Sequence, residues 1–86
     1  MKISKSKVYT LIQNYLIKEC KKKKIKKNFN LDKVDFFKKG IIDSLGFLNL
    51  ISTIEKKLNV EIDLSNENPS KLTNLYNLTK LIYQRI

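Results

Sequence analysis

Residues 40–58 read GIIDSLGFLNLISTIEKKL, and their spacing decides the fold. From Asp43 onward, Phe47, Leu50, Ile51, Ile54 and Leu58 recur every three or four residues. That is the single apolar stripe of an amphipathic helix packed on a core. Asp43 is a good N-cap, and Gly40 marks a turn just before it. Ser44 therefore falls at the helix N-terminus, where free backbone N–H groups and the helix dipole favour an attached anion. Leu45 and Leu48 fall off the stripe together with Ser52. They form either a docking surface or a contact with the preceding loop. Gly46 sits in the first turn of the helix, where glycine costs about 1 kcal/mol relative to alanine, which suggests that something approaches the backbone closely there.

Upstream, residues 5–20 place Val8, Leu11, Ile12, Tyr15, Leu16 and Cys20 at helical spacing. The helix is expected to stop between Cys20 and Ile25, with lysines suiting the dipole at its end. Residues 28–42 have no regular period but hold Phe29, Leu31, Val34, Phe36, Phe37, Ile41 and Ile42, enough to cover one end of a bundle. Downstream, residues 59–70 are polar and turn-rich, with Val60, Ile62 and Leu64 alternating. An extended connector fits, because no second strand pattern is present to pair with it. One helical turn is expected from Pro69 to Leu72. A last helix follows, capped by Asn74, with Leu75, Leu78, Leu81 and Ile82 inward.

The chain has 86 residues, no histidine and one cysteine. That length suits one domain, residues 1–86, with one modest core. Without histidine, serine–histidine hydrolysis is excluded, and a lone cysteine makes neither an internal disulfide nor a zinc cluster. Cys20 reads as a small apolar residue of the first helix. No apolar run approaches a membrane span and the N-terminus is too polar for a secretory signal, so a cytoplasmic protein is expected.

The formal charge is +10, and all the excess lies in residues 1–39, with 13 lysines against 3 acids. The densest patch is Lys21, Lys22, Lys23, Lys24, Lys26 and Lys27 around Ile25. It could bind nucleic acid, an anionic membrane or an acidic protein. The simpler reading is a solvated helix end and loop in a lysine-rich chain. Base-reading arginines and stacking aromatics are missing from the run, which argues against nucleic acid.

From Phe36-Phe37 through Gly40-Ile41-Ile42-Asp43-Ser44-Leu45-Gly46-Phe47 to Val60-Glu61-Ile62, the chain resembles the acyl carrier proteins. The likeness extends over roughly residues 8–83. It implies an all-α, four-helix bundle with a short third helix and a long loop between helices one and two. It further implies that Ser44 carries covalent 4′-phosphopantetheine, added by a phosphopantetheinyl transferase whose magnesium Asp43 helps to place. The arm's thiol would hold acyl or aminoacyl groups as thioesters. The chain would then be a cofactor-bearing substrate rather than an enzyme. Implied partners are an acyl- or aminoacyl-activating ligase and acyl-transfer or condensing enzymes, met by a monomer through Leu45, Leu48, Ser52 and Glu55. Carriers of this family can enclose the acyl chain between their helices; here the large Phe47 on the core stripe could fill that space, so enclosure stays open at this point. The chain departs from the family in charge, with Gly46, Asn49, Lys56 and Lys57 where acids are common. Dedicated partners in fatty-acid-like, secondary-metabolite or surface-glycan synthesis follow from that departure.

Overall fold

The computed structural model describes residues 3–26 and 28–86. Helix α1 spans Lys5–Lys22, α2 spans Ser44–Leu58 and α3 spans Leu75–Arg85. A single 3₁₀ turn, Pro69–Lys71, stands where the short third helix was expected. No strand occurs among the described residues, and the alternating Val60, Ile62 and Leu64 lie on an extended connector. Lys27, the last lysine of the basic patch, lies outside the described residues.

Each helix begins at a side chain that satisfies a free N–H. Ser4 accepts from Lys7 N, Asp43 from Gly46 N and Asn74 from Asn77 N. Helix α1 ends at Lys23, and α2 ends at Asn59, whose left-handed backbone (φ 54°) closes the helix as asparagine tolerates best after glycine.

Val8, Ile12, Leu16 and Cys20 of α1 are buried against Leu50, Ile51 and Ile54 of α2 and Leu75, Leu78 and Ile82 of α3. Phe47 and Leu58, expected on the buried stripe of α2, are half-buried at its margins. In α3 the inward set includes Thr79, while Leu81 is half-buried; the Thr79 hydroxyl is buried without a hydrogen-bond partner among the described residues.

The segment between α1 and α2 contributes Phe36, Ile41 and Ile42 to the core. Its backbone is tied down as well. Phe36 N donates to Thr73 O (2.8 Å), and Phe36 O accepts from Ile41 N and Ile42 N. Tyr76 N donates to Asp32 O, and the Tyr9 hydroxyl donates to Asp32 Oδ1 (2.5 Å). The loop is therefore a packed layer joined to α1 and α3.

That Tyr9–Asp32 bond raises the hydroxyl pKa above the ordinary tyrosine value near 10, chiefly through the hydrogen bond, then through burial and the carboxylate charge. A raised folded-state pKa means that its stabilisation is complete below pH ~10 and is lost as pH rises through the folded value. Tyr9→Phe is expected to cost roughly 1 kcal/mol at neutral pH. The gap between variant and native chain should then narrow above pH ~10. Urea midpoints measured across that range check both statements; a gap independent of pH would show that the bond contributes nothing through the hydroxyl proton.

Candidate functional site

The serine turn is assembled from three directions. Gly40 adopts a left-handed backbone (φ 76°) that an L-residue with a Cβ would resist. It turns the chain so that Ile41 and Ile42 enter the core and Asp43 emerges at the surface. The Asp43 carboxylate caps α2 through Gly46 N at 2.7 Å, and Phe47 N donates to Asp43 O at 2.8 Å. Ser44 is the first helical residue and is exposed. Its own N–H and that of Leu45 belong to the helix turn that intrahelical bonds cannot reach. Because Asp43 does the capping, the Ser44 hydroxyl is left available.

Gly46 has a definite packing reason. A Cβ there would stand 2.8 Å from Ile42 Cγ1 and 3.1 Å from Asp43 Oδ1. The backbone approach inferred from the sequence is therefore that of the residues preceding the serine. Gly46→Ala should gain helix propensity but force Ile42 and the cap apart, for a net loss of about 1–2 kcal/mol. Thermal unfolding of that variant measures it, and a rise in Tm would show that Ile42 yields without penalty.

Ser44 also borders a crevice of about 570 Å³ between α2 and the connector. Its walls are mainly apolar, with Phe37, Phe47, Ile51, Ile62, Leu64 and Leu72 prominent. Phe47 packs its ring 5.7 Å from that of Phe37 and 6.3 Å from that of Phe36. It forms one wall and does not plug the space. Volumes of several hundred Å³ with apolar walls and few polar groups are typical of small-molecule sites.

The expected docking residues divide between two surfaces. Leu45 and Leu48 are 67% and 65% exposed, so neither is covered by the preceding loop. Leu48, Ser52 and Glu55 border the crevice, whereas Leu45 does not. Glu55 also has an internal partner, accepting a hydrogen bond from Ile62 N at 2.9 Å, which fastens the connector to α2.

Tertiary contacts add residues that sequence reasoning passed over. The Tyr15 hydroxyl of α1 reaches Gly46 O at 3.5 Å, and Lys23 Nζ donates to Ile41 O at 2.8 Å. Both brace the turn that presents Ser44. Desolvation raises the Tyr15 pKa, with smaller contributions from the Glu19 and Asp43 charges. Neither contact has a local signature, since each spans a loop. Most crevice residues were singled out in the sequence for other reasons, Phe47 and Ile51 on the apolar stripe, Leu48, Ser52 and Glu55 for docking, Ile62 and Leu64 by alternation; their meeting around one space was not.

Among the described residues, no group of three or more His, Cys, Asp or Glu is placed to hold a metal ion, and no helix is long and apolar enough to cross a membrane. No family model, curated protein or solved structure matches the chain.

Proposed function

We propose that the chain is an acyl carrier protein, with 4′-phosphopantetheine esterified to Ser44. The observation that carries this reading is an exposed serine at the first position of α2, relieved of capping by Asp43 and bordering an apolar crevice. The residues present fit the group. A phosphodiester on Ser44 would meet the positive end of α2, and Asp43 stands beside it as a carboxylate open to solvent. When attached, the arm supplies a thiol that holds acyl or aminoacyl groups as thioesters; the chain itself supplies the tether, the recognition surface and shelter. On this reading the 3₁₀ turn Pro69–Lys71 takes the place of the short third helix of a four-helix bundle. The crevice has the character needed to shelter an aliphatic cargo. Partners are the transferase, an activating ligase and acyl-transfer or condensing enzymes, which meet Leu45 and Leu48 beside the serine. The protein acts in the cytoplasm as a substrate of these enzymes.

The experiment is to incubate the chain with coenzyme A, magnesium and a broad-specificity phosphopantetheinyl transferase, and to read the intact mass. A gain of one phosphopantetheine is expected. No gain with several transferases, in protein shown by circular dichroism to be folded, would overturn the reading.

A further inference from the structure

The basic cluster and the serine occupy the same end of the molecule. Tyr15 of α1 touches Gly46 of α2, and Lys23 at the end of α1 touches Ile41 just ahead of α2. The two helices therefore run antiparallel, with the C-terminal end of α1 beside the start of α2. Lys21, Lys22, Lys24 and Lys26 are exposed at the end of α1, and Lys38 and Lys39 are exposed in the loop two to three residues ahead of Ile41, which Lys23 contacts.

The nearby acids are engaged internally. Glu19 lies 3.8 Å from Lys23, Asp35 accepts from the N–H groups of Phe37 and Lys38, and Asp43 caps α2. Among the described residues, none of the six exposed lysines forms an ion pair. Leu45, two-thirds exposed, adds an aliphatic side chain in the first turn of α2.

We propose that this end of the protein docks reversibly on an anionic lipid bilayer, with the lysines against the headgroups and Leu45 reaching into the interface. Charge complementarity selects the occupant. Lysine is a flexible, strongly hydrated point charge that suits a diffuse negative surface, whereas protein interfaces favour arginine over lysine. Nucleic-acid readers use arginine and stacked aromatics; the sole arginine, Arg85, ends α3, and the Phe29 ring is overlain by Lys39 at 5.0 Å. The inference is independent of what Ser44 carries. If both hold, bilayer contact and enzyme contact compete for Leu45.

The test is co-sedimentation of the full, unmodified chain with vesicles of phosphatidylcholine alone and of equal parts phosphatidylcholine and phosphatidylglycerol. Binding is expected only to the anionic vesicles and should weaken steeply with salt. At about fivefold per lysine, reduced by screening, K21Q/K22Q/K24Q/K26Q should lower partitioning on the order of 100-fold. Leu45→Ser should lower it by roughly tenfold. These side chains are exposed, and circular dichroism verifies the fold of each variant. Equal binding to both vesicle types, or none, overturns the proposal. So does tighter binding to polyglutamate or to duplex DNA than to anionic vesicles at matched salt. Mass analysis of the quadruple variant after transferase treatment reports on Ser44 separately, so the two readings fail independently.

Discussion

Ser44→Ala is expected to abolish covalent loading completely while changing stability by less than ~0.5 kcal/mol. The separation of the two effects follows from the geometry. Serine at the start of a helix usually serves as its cap, and replacing a capping serine by alanine costs about 1 kcal/mol. Here the cap is Asp43, whose carboxylate holds Gly46 N at 2.7 Å, and Ser44 is exposed in the position after it. Alanine also has the highest helix propensity. The variant should therefore fold like the native chain and differ in one oxygen. Intact mass after transferase treatment, together with a urea titration, reads both quantities. Loading of the alanine variant would place the attachment elsewhere. A large stability loss would mean that the hydroxyl has a structural role.

Phe36→Ala is expected to have the largest effect on stability. Phe36 is fully buried, and its ring lies 5.1 Å from Phe37 and 6.3 Å from Phe47. Removing such a side chain typically costs about 3–5 kcal/mol, through lost transfer free energy and the cavity left behind. A domain of this size has only roughly 5–10 kcal/mol in total. Tm should fall by at least ~12 °C. The loss should extend to the site, because Phe36 anchors the loop that feeds Ile41 and Ile42 beneath the serine turn, through its carbonyl as well as its ring. Loading of Ser44 at a temperature where the variant remains mostly folded should still slow, since the turn and the crevice wall share this anchor. A drop of less than ~3 °C would mean that the ring is dispensable and the loop is held by its backbone bonds alone.

Local signals along the chain were legible where the physics is local. The three α-helices follow from apolar residues at three- and four-residue spacing, and their starts from Asp43 and Asn74, whose short polar side chains reach an N–H three residues on. The outward position of Leu45 and Leu48 follows from the same periodicity. The single helical turn expected from Pro69 is present over Pro69–Lys71; only its 3₁₀ geometry was not legible, because no stripe there is long enough to favour α over 3₁₀.

The candidate site divides along the same line. By itself the sequence determined that a serine opens the second helix beside a capping carboxylate, because both depend on residues within one turn of each other. It also determined the imbalance of charge, which is a matter of counting. Only the tertiary structure decided that Gly46 makes room for Ile42, that Glu55 fastens the connector, and that the lysines gather at the serine's end. These outcomes depend on how elements separated by a loop are brought together. That arrangement is set by the mutual burial of Phe36, Ile41 and Ile42 with the helix faces, which no spacing within a single element encodes.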